Sequence, residues 1–425
     1  MSLLEPLRNL LRLPEVRRRI LWTLGLLAAF RAGAHLPLPG VHPAAVHAFA
    51  DAASRAMRGL WTFLELLSGG ALGKLALFAL GIAPYITASI LVQVLTKASA
   101  TLEAVAKEGP SGQKRIQQIV RCVTLPVAAV QAAFAAWQLR AAGLLASGGL
   151  MDLLLVVAGM TAGSLLTLWI GEQITERGLG NGQSMLILAG IVSRLPAMAG
   201  EAIRRGPGTP LLLGILGLAT IVATVIVTRA QRRIPLHHAS RVRGRRVVAG
   251  WRNYLPLRLN SAGVMPIIFA SSAFVLPQVL GLIPGLGWIR APFERLGFVF
   301  TALYAAAIVF FSYFWTYLFF PPAELALQLK ERGSFVPGLR PGEVTERFLN
   351  GILARITLCG AAFLAGIALL PGLVARALGG EVLWEAFLGG SSLLIVVGVV
   401  LDLVQKLDSY LQMHRYEGFL RPPKS

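Results

Sequence analysis

Few residues in this 425-residue chain could do chemistry. The run Arg177-Gly178-Leu179-Gly180-Asn181-Gly182 has the glycine density of a loop that wraps phosphate. Such a loop joins a strand to a helix. Apolar helical stretches flank this one on both sides, so it reads as a tight turn. His237 and His238 could offer imidazoles to a metal, but adjacent positions do not share a helix face. No metal site is expected. The two cysteines, Cys122 and Cys359, lie inside or beside apolar stretches and read as small apolar fillers. Neither a Walker A run nor H-E-x-x-H occurs. Asp152, Glu172 and Asp402 stand near the ends of apolar stretches, not at their centres. Coupled carriers place ionisable groups at mid-membrane, and an intramembrane hydrolase needs a His, Asp or Glu partner for its serine. Neither pattern is present. The expectation is a non-enzyme with no cofactor.

The elements that carry these residues belong to a membrane protein. The chain is 55% hydrophobic and 14% charged, with a mean hydropathy of +0.67. Runs as long as a bilayer is thick recur, as in an all-α polytopic protein. Ten spans are expected, near 20–37, 75–95, 120–140, 151–171, 183–200, 210–228, 260–283, 298–320, 354–372 and 387–405. Two sets of five imply that the second set enters from the opposite side, as in an inverted repeat. The expected divisions are 1–19, an amphipathic basic helix on the cytoplasmic face; 20–205 and 206–405, the two halves; and 406–425, a cytoplasmic tail. The N-terminal stretch lacks the A-x-A site of a cleavable signal.

Charge sets the orientation. Segments 1–19, 96–121, 172–182, 229–258, 321–355 and 406–425 hold 29 of the 40 Lys and Arg residues. By the positive-inside bias, these segments and both termini face the cytoplasm. This accounts for much of the net charge of +20 without nucleic acid. Residues 229–258 carry nine arginines and no acid, beyond what orientation needs. Arg241, Arg243, Arg245 and Arg246 surround Gly244 as at a hairpin tip. They suit docking to ribosomal RNA phosphates or to an acidic protein face, or simple contact with anionic lipid.

The stretch LSGGALGKLALFALGIAPYI at 67–86 is apolar yet interrupted by Gly69, Gly70, Gly73, Gly81 and Pro84. At mid-span the chain offers aliphatic residues: Ile82, Ile86, Ile187, Ile268 and Ile395. Each alone reads as packing or lipid contact. Together, such residues can also hold a pore shut by dewetting.

Several stretches carry a resemblance. They are FRAGAHLPLPG (30–40), SGGALGKLALFALGIAPYITASI (68–90), KEGPSGQKRIQQ (107–118) and GEQITERGLGNGQS (171–184). AQRRIP (230–235), LPLRLNSAGVMPIIFASS (255–272) and FVPGLRPGE (335–343) continue it. In this order and over nearly the whole length, the chain resembles the SecY family, the central subunit of the bacterial Sec channel. The resemblance implies an hourglass pore of ten helices in two inverted five-helix halves, hinged near 200–210, with a lateral gate between spans 2–3 and 7–8. It implies passage of signal peptides and nascent polypeptides across the plasma membrane, and release of membrane segments into lipid. By motif, the pore ring would be Ile82, Ile86, Gln183, Ile187, Ile268 and Ile395, with Gln183 standing where the family commonly has an aliphatic residue. A short re-entrant plug helix near 61–72 would close the pore. Leu67, Ser68, Gly69, Gly70, Leu72 and Gly73 would form plug and hinge, with the joint at Gly73 and Lys74. Arg245, Arg246 and Arg340 would meet the SecA motor or the ribosome, and SecE and SecG would be the membrane partners. The competing expectation is an inverted-repeat transporter of a small solute, marked by a polar mid-membrane site on broken helices.

Overall fold

Proline opens helix after helix in this chain. Its missing N–H and fixed φ suit the first turn, where no intrahelical partner exists. The structure, a computed structural model, describes residues 14–42, 65, 68–146, 148–193, 195–204, 208–238, 241–243, 246–248, 252–261, 263, 265–273, 298–377 and 390–420. Several expected features lie outside these residues. They are Leu67, Gly244, Arg245, the plug positions before Glu65, the N-terminal segment to residue 13, 205–207 of the hinge and the outer part of span 7.

Two compact units divide the chain, residues 1–201 with 399–425, and residues 202–398. The first contains helix α1 (Pro14–Gly33), α2 (Ala83–Ala98), α3 (Ala100–Lys107), α4 (Pro110–Ala141), α5 (Leu150–Arg177) and α6 (Gly182–Val192). Helix α7 (Leu195–Arg204) runs across the boundary. Pro84 and Pro110 stand in the first turns of α2 and α4. Helices α4 and α5 are long and apolar enough to cross a bilayer. At 32 residues α4 is about 48 Å long, so its basic first turns reach beyond a hydrocarbon core of about 30 Å. Packing against α2 and α5 uses small residues at spacing four: Ala128, Ala132 and Ala136 are fully buried. Without a hydrophobic drive between helices in lipid, such close approach supplies the attraction. Ala88 and Val92 of α2 meet Val120 of α4 in one cluster. Leu72, Leu75, Ala132, Leu139, Val156 and Met160 form another. Hydroxyls inside these helices donate to the carbonyl four residues back, as Thr124 does to Val120 and Thr167 to Gly163. That satisfies them where no water is available.

The second unit holds α8 (Gly208–Arg229), strands β1 (Gln231–His238), β2 (Arg241–Arg243), β3 (Arg246–Val248) and β4 (Arg252–Arg258), then α9 (Met265–Ala273), α10 (Phe298–Phe319), α11 (Pro322–Glu331), β5 (Ser334–Phe335) and α12 (Glu343–Ala377). Helix α13 (Gly390–Leu420) passes from it back to the first unit without a break at 406. Runs 299–331 and 343–369 are the further spans by length and apolarity among the described residues. Ile267 and Ala270 of α9, Ile308 of α10, Leu364 of α12 and Leu394 of α13 share one core.

Three expectations change. The second span does not start near residue 75: residues 68–82 are turns and the helix starts at Ala83. The fifth span is interrupted at Ser193, between α6 and α7. The third span does not start near residue 120: α3 leaves α2 at a bend of 101°, and α4 begins at Pro110. The helical class holds, and the loops after α8 and α11 add a small sheet in the order β4-β1-β5.

Candidate functional site

Residues 68–82 form a stretch of irregular backbone in the first unit. The Gly70 N–H donates to the Glu65 carbonyl at 2.8 Å. Ser68, fully buried, donates to the Glu65 carbonyl (3.2 Å) and accepts from the Leu72 N–H (3.2 Å). Gly69 has φ of +65°, which L side chains rarely adopt. A Cβ there would also lie 3.3 Å from the Gly190 Cα of α6. The Arg31 guanidinium of α1 donates to the Gly69 carbonyl at 2.7 Å. Lys74 Nζ stands 2.8 Å from His35 Nε2, whose Nδ1 is 2.8 Å from the Arg31 carbonyl.

The same segment is clamped further along. Leu77 N–H donates to the Leu36 carbonyl (2.8 Å) and Leu38 N–H to the Leu75 carbonyl (3.1 Å). The ring of Phe78 stacks on Phe30, centroids 5.9 Å apart. On α5, a Cβ at Gly163 would fall 2.0 Å from the Leu77 carbonyl oxygen, so only glycine admits this approach. The neighbouring Ser164 hydroxyl donates to the Gly81 carbonyl at 3.2 Å. Helices α1, α5 and α6 thus cage a non-helical stretch. Such backbone is tolerated at membrane depth where it is buried in protein or lines a cavity. The turn spans 68–82, a longer stretch than a joint at Gly73 and Lys74.

The turn ends at Ile82, 1% exposed, which occupies the N-cap position of α2; Ile86 follows one helical turn later, half-buried. On α6, Gln183 is half-buried and Ile187 is 8% exposed. The glycine-rich run positions them, and it is a turn, as its flanks suggested. Asn181 caps α6 by accepting from the Gln183 and Ser184 N–H groups (3.1 and 3.4 Å). Thr23 of α1 accepts from the Leu179 N–H (3.0 Å), and Thr175 accepts from the Gly182 N–H (2.9 Å). From α4, Arg121 pairs with Glu172 of α5, so the acid seen near the span end is neutralised in place. In the second unit, Ile268 lies on α9 and Ile395 on α13, the latter 4% exposed.

The two long loops of the second unit fold together. β1 pairs antiparallel with β4, Ile234 opposite Leu255 and Arg232 opposite Leu257, and β5 adds to β1 through His237 and Phe335. Ile234, Leu236 and Leu257 bury against Val336, Leu349, Ile352 and Leu353. The alternation of Ile234 and Leu236 along β1 was the available signal for this sheet. Arg241 and Arg243 lie on β2, and Arg246 on β3 opposite Arg243, the hairpin expected around Gly244. Arg340 is exposed, and its carbonyl accepts from the Thr345 hydroxyl at 2.8 Å, which fixes the turn before α12.

A family model described as SecY matches residues 76–404. The chain belongs to the SecY family. The protein translocase subunit SecY of Thermotoga maritima is 37% identical over 431 residues, covering 99% of this chain and 98% of that relative. Solved structures share the fold. One, described as "The structure of a protein conducting channel", superposes with a TM-score of 0.61 at 18% identity over 96% of each chain. Another concerns the SecY plug domain, said to stabilise the closed channel and maintain a membrane seal; its TM-score is 0.59 at 18% identity, again over 96% of each chain. The SecY match includes the irregular turn from Ala76 onward, the glycine-rich run 177–182 and the β4-β1-β5 sheet.

Proposed function

We propose that this chain is the protein-conducting subunit of a translocase in the bacterial plasma membrane. It moves unfolded, signal-bearing polypeptides across the bilayer and releases transmembrane segments sideways into lipid. The observation that carries the reading is the caged turn 68–82 in a chain of the SecY family. A solute carrier has no use for a stretch of this kind without polar side chains at mid-membrane, so that alternative is set aside.

In this reading the ten spans form two inverted halves, 20–205 and 206–405, around an hourglass pore. The segment that ends at Ser68–Leu72 is a plug, and the turns up to Ile82 let it leave while α2 stays put. Ile82, Ile86, Gln183, Ile187, Ile268 and Ile395 form the constriction, and Gln183 wets one side of it. Both termini face the cytoplasm. Arg241, Arg243, Arg245, Arg246 and Arg340 meet SecA or the ribosome, SecE clamps the halves, and SecG lies at the periphery. The long inner-loop module supports this: its buried core gives the arginines a rigid base. The test is reconstitution with SecE and SecA. A signal-bearing precursor should become protease-protected inside vesicles when ATP is added. Protection that does not depend on this chain would overturn the reading.

A further inference from the structure

Two side chains at the end of α1 grip the turn 68–82. Arg31 holds the Gly69 carbonyl, and His35, four residues on, meets Lys74. The grips fall on either side of Leu72. The second differs from the first, because its hydrogen-bond pattern fits one protonation state. His35 Nδ1 lies 2.8 Å from the Arg31 carbonyl oxygen, which can only accept, so Nδ1 carries the hydrogen. In a neutral ring Nε2 then bears a lone pair, and it faces Lys74 Nζ at 2.8 Å. An ammonium can only donate. A proton added at Nε2 would set two donors and two positive charges against each other at that distance. Both side chains are exposed, so the ring can exchange protons with water.

The surrounding charges do not offset that clash by their placement. Arg31 is a further cation on the same helix, already engaged at Gly69. Glu65 is the carboxylate beside the turn: its Oε1 would lie 2.7 Å from a Cβ on Gly73, next to Lys74. It therefore stands on the Lys74 side and favours a lysine that has left the ring. Beyond His35 the chain runs to Gly40, against the Asp152 backbone of α5, and to His42, whose N–H donates to the Leu144 carbonyl. Helix α4 ends near this corner with Arg140, and α6 contains no ionisable side chain.

We propose that His35 is a proton-operated latch on the turn: neutral, it holds Lys74, and protonated, it lets Lys74 go. The latched form binds one proton fewer than the released form, so release grows as pH falls. Histidine is the side chain that changes charge between about pH 5 and 8. In the channel reading, on which this role rests, the end of α1 away from Arg17, Arg18 and Arg19 faces the outside. Acid there would loosen the 68–72 segment, while acid on the side of the basic loops would not.

The test uses the assembled complex in planar bilayers without precursor, with one chamber at a time taken from about pH 8 to about pH 5.5. Losing an exposed bond to an ammonium and adding repulsion should raise the wild-type open fraction about threefold to tenfold. The rise should come from one chamber only. His35→Gln keeps an acceptor for Lys74 but cannot titrate, and should show no rise. Lys74→Met removes the opposing charge and should also flatten the response; it decides the matter if His35→Gln fails to assemble. Amide exchange over residues 68–77, corrected for its intrinsic pH dependence, gives a readout that does not need conduction. It should quicken in acid in the wild type and not in either variant. A flat wild-type response in both readouts, or an equal rise in His35→Gln, overturns the latch. Precursor protection in vesicles at about pH 8 tests the channel reading separately. Protection with a flat response sinks the latch alone. Acid-quickened exchange without protection keeps the latch and sinks the reading.

Discussion

Replacing Arg31 with alanine should loosen the closed channel. The guanidinium donates to the Gly69 carbonyl at 2.7 Å from a half-buried position, and Gly69 is itself buried. A hydrogen bond from a charged donor contributes about 1.5–3 kcal/mol. Water that enters when the side chain is removed recovers part of this, which leaves about 1–2 kcal/mol. At about 1.4 kcal/mol per factor of ten, the population with the 68–72 segment displaced should rise about fivefold to thirtyfold. The assay is single-channel recording in planar bilayers without precursor. Wild type should be almost always shut, and Arg31→Ala should open more often by that factor. Arg31→Lys keeps a cation within reach and should fall between the two. An open fraction for Arg31→Ala within twofold of wild type, with the protein folded and assembled, would refute the argument that this contact holds the segment.

Four other outcomes follow. Gly163→Ala forces a methyl against the Leu77 carbonyl, and such overpacking costs about 1–3 kcal/mol; the thermal midpoint should fall and resting leak should rise together. Leu349→Ala opens a cavity in the fully buried inner-loop core at a cost of about 2–5 kcal/mol; trypsin should then cut the arginine-rich strands faster, while the spans stay protected. Arg340→Glu should impair translocation while leaving membrane insertion and SecE assembly intact, which co-purification and a precursor assay would show together. Lys107, by hydrogen bond and charge at 3.0 Å, holds the Glu103 carboxyl below its ordinary range. A lowered carboxylate contributes its support above the ordinary value of 4.5 and loses it as pH falls through the lowered one. Amide exchange in α3 should therefore quicken at that acid end, and Glu103→Gln should remove the dependence.

Much of the helical framework could be read from hydropathy, because an apolar run of bilayer length must satisfy its own backbone. The helix starts at Pro84 and Pro110 were missed, with Pro84 placed inside a span from about 75 and the third span begun near 120, although proline marks a first turn by its own geometry. The glycine-rich run 177–182 was read as a turn from its flanks, and the Asn181 cap explains it locally. What the sequence did not disclose depends on distant contacts. An apolar count places a span from about 75, because Leu75 to Leu80 are as apolar as any helix. The turn persists to Ile82 because Gly163 and Ser164, more than 80 residues away, meet the carbonyls of Leu77 and Gly81. The basic loop 229–258 advertised its charge and hid its fold. Its strand pairs with a two-residue strand in a separate loop, and only the burial of Ile234 and Leu236 against Leu349 makes that pairing stable. The pore residues were named by resemblance, since an isoleucine at mid-span looks the same whether it faces lipid, a neighbour or a pore.

The central claim is that a polypeptide passes through this chain. The most direct measurement places a photoreactive side chain at Ile86 or Ile187 and stalls a precursor partway with a tightly folded C-terminal domain. Leu218 of α8, 63% exposed, serves as the control position. Cross-links to the precursor should form at Ile86 and Ile187, and should require ATP and an intact signal sequence. A precursor that enters vesicles yet cross-links at these positions no more than at Leu218 would contradict the account.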